Sequence, residues 1–464
     1  MSMKPTIWMN VTTSANWQRP PVGIVRVEQA ICNGLQEIYG DGFKRCIWQG
    51  DRFIDAELIS SHIGSEKNLS ESSEKNNVEG KRKKELPPIF PLLPKRKALA
   101  VIVQGVLSLT PSAFRPIVNK ILYRLKSTFF RIITSNLFKK KTSPIVWSNK
   151  PIQNNLNEEK GLFSKGDILI SMGLDWDCPL YESFYYLRKS GVKVISCCYD
   201  LIPVFYPQYC VGNVSGIFSS YFIEIADGSD IVLCISKQSE ADLRRFLETT
   251  GANVPITHVF PLGDNVPAEV SGNISDDVLN IFSEPFILFV STVERRKNHE
   301  VLYRAYHLLC QQGKKDQLPK MVFVGMTGWG IQELLADLEF DPVVQDLFVR
   351  LDHVSDAELS ALYKASLFCV FPSLYEGWGL PVGEALSLGK AVISSDRGSL
   401  PEVGGDLVVY VEPWSPHDWA REIYRMATDS EWRCKHENNI RENYQTRTWE
   451  QASQSISTVI NSIL

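Results

Sequence analysis

The chain has 464 residues, of which 44% are hydrophobic and 22% charged, with a formal net charge of −4. This length exceeds what one hydrophobic core usually serves, so two domains are expected. The composition is that of an ordinary soluble globular protein, and the charge gives no overall attraction to nucleic acid. The ten cysteines lack metal-type spacing, which favours buried free thiols in a reducing cytoplasm over disulfides. No secretory signal and no apolar run long enough to span a bilayer are visible.

The first elements in chain order are a strand over residues 6–11, a loop, and a helix over 25–39 whose apolar residues form one stripe. A strand, a glycine loop and a helix start favour bound anions, because the first N–H groups of the helix are free. Gly23 is the glycine placed to approach a ligand. Arg26, in the first helical turn, is equally consistent with a functional cation and with a solvated helix face.

An insertion interrupts the first domain over about 60–160. Residues 64–86 are charged and rich in Ser and Asn, which predicts disorder. The region 95–141 then carries Lys and Arg among apolar residues at helical spacing, without Asp or Glu. This pattern predicts a basic amphipathic helix in peripheral contact with an anionic membrane surface, where each cation contributes about 1 kcal/mol. The alternative is a helical hairpin packed on the domain with solvated lysines. No recognised nucleic-acid module accompanies the charge.

Short β-rich runs separated by helical segments resume after the insertion and indicate a doubly wound parallel sheet. Asp200 follows the second of these runs, at the strand end where such sheets bind ligands. Its carboxylate is a candidate for binding or deprotonating a ligand hydroxyl, or it caps the next turn. The runs are 167–171, 192–198 and 230–236.

A segment rich in Pro, Gly, Asn and Asp, 261–269, marks the domain boundary. We therefore expect an N-terminal domain over 1–265 and a second domain over 266–445. A final helix, beginning at Trp449, is expected within 446–464.

The second domain opens with a strand over 286–292, after which Arg296 and Lys297 precede a helix that begins near Asn298. Two cations beside the positive end of a helix form a pyrophosphate site on physical grounds. The alternative is a solvated basic loop. The next strand ends in a glycine loop that contains Gly325.

The segment 367–394 predicts a strand, a loop, a short helix with Pro381 in its first turn, and another strand. Two carboxylates, Glu376 in the loop and Glu384 in the helix, flank glycines that let a ligand approach the backbone. The alternative is that Glu384 only solvates the helix and Glu376 caps its start.

The run F-P-S-x-x-E-G-W-G-L-P-x-x-E-A at 371–385 resembles the donor-site motif of the retaining glycosyltransferases of family 4, which have the two-domain GT-B fold. The resemblance implies that Glu376 faces the transferred sugar and that Glu384 holds the ribose hydroxyls of the nucleotide. The stretch E-x-R-K-N, with Arg296 and Lys297, is similar to the family's diphosphate-binding stretch. The implied catalytic residues are Glu376, Arg296, Lys297 and Asp200. The implied donor-binding residues are Glu384, Gly377, Trp378, Gly379, Leu380, Ser291, Thr292, Gly325 and Gly23.

The resemblance covers about 1–60 and 165–464, and it has one departure. Related enzymes often have His before Asp-Leu-Ile-Pro, whereas this chain has Tyr199, which leaves the catalytic use of position 199 open. Glu402, in a family-like P-E-V, is interpreted as structural.

The expected fold class is therefore α/β: GT-B, with two Rossmann-like doubly wound domains facing a cleft and a basic helical insertion in the first. The resemblance implies that the first domain is on the acceptor side and that the second binds the nucleotide sugar. The expected function is retaining transfer of a sugar, best matched by mannose from GDP-mannose, onto a lipid-linked or growing glycan in O-antigen- or capsule-type polysaccharide biosynthesis. The expected location is the cytoplasmic face of the inner membrane. The donor is a substrate, and the family implies no metal or other cofactor.

Three alternatives remain open from the sequence. One is a glycosyltransferase that uses a UDP- or dTDP-sugar. Another is a non-catalytic GT-B-like scaffold that binds a nucleotide sugar. The third is a metabolic epimerase of related fold, which would not need the basic insertion.

Overall fold

The computed structural model describes residues 5–18, 23–58, 161–177, 179–212, 214–266 and 273–464. The predicted disordered stretch and the predicted basic helix at 95–141 lie outside these residues, so both stay predictions.

A seven-stranded sheet organises the first part of the described chain, in the order β3-β2-β1-β4-β5-β6-β7. Its described strands are parallel except for β3, which pairs antiparallel with β2 at the edge. Strand β1 lies inside the sheet between β2 and β4. The strands are β1 (Ile7–Asn10), β2 (Phe43–Gln49), β3 (Arg52–Asp55), β4 (Ile168–Ser171), β5 (Lys193–Cys198), β6 (Ile231–Cys234) and β7 (Ile256–Val259).

Helices connect these strands, as the alternating sequence pattern predicts. The Ser236 hydroxyl accepts a hydrogen bond from the Ser239 N–H and caps the last of them, which ends at Gly251 in the left-handed conformation. The helices are α1 (Thr12–Asn16), α2 (Ile24–Tyr39), α3 (Phe184–Ser190), α4 (Ile202–Phe205), α5 (Val214–Gly228) and α6 (Lys237–Thr250).

A second sheet has six described strands, all parallel, in the order β10-β9-β8-β11-β12-β13. The predicted strand ends differ from the observed ones by at most two residues. The expected α/β class with two doubly wound sheets is confirmed. The strands are β8 (Phe286–Val290), β9 (Lys320–Val324), β10 (Phe348–Leu351), β11 (Cys369–Phe371), β12 (Val392–Ser394) and β13 (Val409–Tyr410).

One helix of this second part begins with a capping motif that can be recognised in the sequence. Ser355 and Glu358 form a capping box, in which each side chain accepts a hydrogen bond from the other residue's backbone N–H. The helices are α7 (Asp276–Ile281), α8 (His299–Gln311), α9 (Gln332–Phe340), α10 (Asp356–Ala365), α11 (Leu380–Ser387), α12 (Leu400–Gly404), α13 (Pro416–Thr428), α14 (Ser430–Asn443) and α15 (Trp449–Asn461).

Helix α15 returns to the first sheet and packs on α2. The Tyr39 hydroxyl donates to the Ser457 carbonyl at 3.1 Å, and Gly34 lies so close to Ser453 that a Cβ atom would overlap its side chain. Ile456 and Ile460 are fully buried between the helices. Burying a side chain of this size contributes about 1.5–3 kcal/mol, so α2 and α15 are firmly held together.

Two further expectations can be compared with the described residues. The nine described cysteines have free thiols, and six of them are buried, as predicted. No helix in the described ranges has the length and apolarity needed to cross a membrane.

Candidate active site

The centre of the site is a buried ionic cluster between the end of β8 and the end of β11. The Glu376 carboxylate contacts Lys297 Nζ at 2.5 Å and Arg296 Nη1 at 2.7 Å. Arg296 also pairs with Glu294 at 2.8 Å and donates to the Tyr375 carbonyl at 2.8 Å. The structure therefore brings together three of the four predicted catalytic residues in direct contact.

Local sequence explains how this cluster forms. After strand β8 the chain forms a single 3-10 turn, Arg295–Lys297, and Asn298 at φ +59° directly precedes α8. The Asn298 side chain donates to the Pro372 and Pro413 carbonyls, which fixes the turn against the segment that follows β11. The two cations thus stand beside a helix N-terminus, as predicted.

The charges of the cluster are strongly coupled. Burial alone would raise the pKa of Glu376, but Arg296 and Lys297 outweigh it and hold that pKa at about 2. Burial acts to lower the pKa of Arg296, yet Glu376 and Glu294 raise it overall. Burial lowers the pKa of Lys297. Glu376 is therefore an ionised carboxylate that is held by cations.

Asp200 lies next to this cluster, on the side of the first sheet. A Cβ atom on Gly377 would come within 2.6 Å of the Tyr199 carbonyl and 2.9 Å of Asp200 Cβ, so only glycine allows this approach. Burial raises the pKa of Asp200, and Arg296 acts in the opposite direction. The Asp200 carboxylate also accepts from the Ile202 N–H at 3.0 Å, so it caps the turn and borders the site at once.

Tyr199, which stands where related enzymes often have histidine, points into the first domain's core. It directly follows β5 and belongs to the same buried cluster as Cys197, and its hydroxyl donates to the Met172 carbonyl at 2.5 Å. It is 6% exposed. Its phenol is therefore occupied by a structural hydrogen bond.

The second glutamate of the motif, Glu384, is bound from both domains. Its Oε1 pairs with Arg26 Nη1 of α2 at 2.7 Å, and its Oε2 accepts from the Tyr363 hydroxyl at 2.9 Å. The sequence left Arg26 open between a cation with a function and a solvated residue. Its contact with Glu384 places it in the site. The hydrogen bond from Tyr363 to Glu384 was not predicted from the sequence.

The glycine-rich loop of the motif is shaped by its own packing. Gly379 has φ +116° and precedes α11, which begins at Leu380. Trp378 is 6% exposed, and the Arg447 guanidinium lies 5.4 Å from the centre of its ring. Arg447 in turn pairs with Asp264 at 2.9 Å, which links the loop to the segment between the domains.

The remaining predicted donor-binding residues surround the cations or stand apart. Ser291 and Thr292 directly follow β8, and Gly325 packs against the Ser291 carbonyl. Gly23 precedes α2 at φ +51°, and a Cβ atom there would meet no other atom within 4 Å. Gly23 is thus connected to the site only because it directly precedes α2, the helix that carries Arg26.

Two further contacts cross the cleft. The Glu402 carboxylate accepts from the backbone N–H groups of Lys237 and Gln238 at 2.8 and 2.7 Å, at the start of α6. The Tyr375 hydroxyl donates to Asp242 of the same helix at 2.5 Å. Glu402, interpreted from the sequence as structural, serves here as a helix cap for the opposite domain.

No metal-ligating group of three or more His, Cys, Asp or Glu side chains is present among the described residues. The expectation of metal-independent chemistry stays a prediction.

Comparison with known families gives a match over residues 274–447 to the family described as glycosyl transferases group 1. The matched range contains Arg296, Lys297, Glu376 and Glu384.

Curated relatives carry glycosyltransferase names. The chain is 27% identical over 312 residues to the serotype-specific mannosyltransferase WbdA of Escherichia coli, covering 64% of this chain and 37% of WbdA. It is 27% identical over 252 residues to the O-antigen chain mannosyltransferase B of Escherichia coli, covering 54% of this chain and 65% of that protein. The chain thus spans about one third to just under two thirds of the relatives it matches.

Solved structures with the same fold match between 64% and 99% of this chain. HepE from Anabaena, solved in complex with UDP, matches 99% of this chain and 100% of its own, with a TM-score of 0.55 and 13% identity. Sucrose-phosphate synthase from Thermosynechococcus elongatus matches 64% of this chain and 73% of its own, with a TM-score of 0.51 and 23% identity. Residues 274–447 therefore resemble the glycosyl transferases group 1 family, and the chain has the GT-B fold that the sequence motifs predict.

Proposed function

We propose that this chain is a retaining glycosyltransferase that moves mannose from GDP-mannose onto a lipid-linked or growing glycan in surface polysaccharide biosynthesis. The observation that carries the proposal is the contact of Arg296 and Lys297 with Glu376 at the strand ends that face the cleft. Ligands of open parallel sheets bind at this edge.

The two cations have a role in departure of the leaving group. When the bond from the sugar to the diphosphate breaks, negative charge develops on the β-phosphate. Arg296 and Lys297 would stabilise this charge by hydrogen bonds from ionised donors. A guanidinium has five N–H donors, so Arg296 can bind a phosphate while it keeps protein partners. These cations take the part that a divalent metal plays in other enzymes of this chemistry.

Two carboxylates would contact the sugars. Glu376 is ionised and buried beside the cations, where it would face the transferred sugar. Asp200 stands on the opposite wall, next to Gly377, where it would receive an acceptor hydroxyl. The raised pKa of Asp200 suits a group that takes up a proton during transfer.

The names of the Escherichia coli relatives support mannose as the sugar and an O-antigen-type glycan as the product. Contact with the cytoplasmic face of the inner membrane, through the basic region 95–141, completes the proposal and suits a lipid-linked acceptor.

A second donor class is favoured by one specific observation. The chain is 36% identical over 154 residues to a D-inositol 3-phosphate glycosyltransferase of Thermobifida fusca, which is higher than its identity to the mannosyltransferases. This match covers 32% of this chain and 35% of that protein. That relative is named a glycosyltransferase without mention of mannose, so the alternative expected from the sequence, a UDP- or dTDP-sugar donor, is kept as the second candidate.

The experiment that tests the proposal measures transfer of labelled mannose from GDP-mannose to a lipid-linked glycan acceptor, with UDP- and dTDP-sugars in parallel. The product is analysed for anomeric configuration. We expect transfer from GDP-mannose, and a loss of about 100-fold or more in turnover for Glu376→Gln. The control is Glu300→Gln, an exposed acid of α8 that pairs with Arg304.

Transfer from another nucleotide sugar alone would move the donor assignment to the second class. If nucleotide binds but neither the chain nor the Glu376→Gln variant turns over any sugar, the chain is a nucleotide-sugar-binding scaffold, and the proposal is wrong.

A further inference from the structure

The carboxylate of Glu384 lies at a junction between the two domains. Its side chain is 5% exposed, and the only cation within ion-pair distance among the described residues is Arg26, 358 residues earlier in the sequence. Its other oxygen binds Tyr363, from α10 of its own domain. Without Arg26, the carboxylate would be a buried charge with one neutral partner, which is an unfavourable state.

We propose that Arg26 is a positioning residue for Glu384, and that the first domain thereby completes the ribose site of the second. The inference rests on the proposed function, in which Glu384 receives the ribose hydroxyls of the donor nucleotide. Arg26 and Tyr363 fix the orientation of the carboxylate before the nucleotide arrives.

The chemistry of the carboxylate is compatible with all of these partners. An ionised carboxylate offers about four lone-pair sites, two on each oxygen. Arg26 uses one site on Oε1 and Tyr363 uses one on Oε2. One site on each oxygen is left, which matches the two O–H donors of a vicinal ribose diol. Arg26 therefore need not leave when the nucleotide binds.

Arg26 is itself held in place by the helix that joins the domains. Its guanidinium lies 5.8 Å from the ring centre of Trp449, the first residue of α15. Gly263 packs against the same ring, where a Cβ atom would come within 2.7 Å. A continuous chain of contacts therefore runs from Glu384 through Arg26, Trp449 and Gly263 to the segment between the domains.

The experiment measures dissociation constants by calorimetry for GDP, UDP and their 2′-deoxy forms, on the full chain and its variants. A hydrogen bond from a sugar hydroxyl to a carboxylate is charge-assisted, so we expect the unmodified chain to prefer its ribonucleotide by about tenfold or more. Arg26→Met should reduce this preference to about threefold or less. Arg26→Lys, which keeps the charge, should retain part of it.

Arg188→Met is the matched control, because Arg188 forms an ion pair with Asp230 in the same domain. It removes the same charge and should keep the full preference. Tyr363→Phe removes the other hydrogen bond to Glu384 and should weaken the preference without any change of charge. This variant tests the site even if Arg26→Met unfolds.

Three results would overturn the inference while leaving nucleotide binding intact. An unchanged preference in both Arg26→Met and Tyr363→Phe would mean that neither residue positions Glu384. A stronger preference in Arg26→Met would mean that Arg26 competes with the ribose. An equal loss for ribo- and deoxynucleotides would mean that Arg26 binds phosphate. If the unmodified chain binds neither GDP nor UDP, the proposed function itself is wrong, and the inference with it.

Discussion

The hydroxyl of Tyr375 donates a hydrogen bond to the carboxylate of Asp242 across the cleft. Tyr375 directly precedes Glu376, and Asp242 belongs to α6 of the opposite domain. The ring of Tyr375 also packs against that of Tyr206, with centroids 4.7 Å apart. The loop that carries the central carboxylate is therefore fixed partly by the domain that it faces.

We expect Tyr375→Phe to lower turnover by about tenfold with a much smaller effect on nucleotide affinity, because a small displacement of a reacting group is costly. The free energy of unfolding should fall by only about 1 kcal/mol, since Asp242 keeps Gln238 and Arg245 as partners. Steady-state kinetics and urea unfolding measure the two effects. Unchanged turnover would mean that the contact does not position Glu376.

Lys297→Met should weaken the binding of a nucleoside diphosphate far more than that of the corresponding monophosphate, because the β-phosphate loses a cation. It should also lower the free energy of unfolding by about 3 kcal/mol, since Glu376 remains buried with one cation fewer. Calorimetry with GDP and GMP tests the first effect. The control is Arg304→Met, which removes an exposed charge from α8. Equal losses for both nucleotides would contradict the assignment.

Two buried acids in the first domain predict a decline of stability with rising pH. Burial raises the pKa of Glu28 to about 7 and that of Asp175 to about 8. In the unfolded chain both ionise near pH 4, while the folded protein keeps their protons. Their contribution is therefore complete below pH 4 and is lost progressively as the pH rises to about 8.

The variant Glu28→Gln tests this pH dependence. It should raise the free energy of unfolding at pH 8 by about 3 kcal/mol relative to the unmodified chain and leave it nearly unchanged at pH 4. Asp175→Asn should act in the same direction. Chemical unfolding at four pH values between 4 and 8 gives the slopes. Parallel slopes for variant and unmodified chain would show that Glu28 is ionised in the folded protein.

Glu358 should produce the opposite pH dependence. Its carboxylate accepts hydrogen bonds from Ser275 and from the backbone N–H of Ser355, and these bonds lower its pKa to about 2. Its contribution is present above about pH 4.5 and disappears as the pH falls toward 2. Glu358→Ala should cost about 1–2 kcal/mol at pH 7. A cost that persists at pH 2 would mean that packing, and not the charge, is lost.

The sequence predicts the ionic cluster because each of its parts is local. Arg296 and Lys297 follow one parallel strand and Glu376 follows its neighbour, so the common strand edge brings them together. The burial of Tyr199 could also be expected, since it directly follows β5, whose residues Val194–Cys198 are buried on both faces of the sheet. The sequence gives no indication of the contact between Arg26 and Glu384, because this contact depends on how two separate sheets are oriented.

Packing of α15 on α2 has a consequence for the order of folding during synthesis. Helix α2 precedes the second sheet in the sequence, whereas α15, which packs on it, follows the whole of that sheet. Domains usually fold as units as they emerge. Here the surface of α2 that contacts α15 stays uncovered until α15 has been synthesised, so the first domain acquires its final stability only after the second domain has been made.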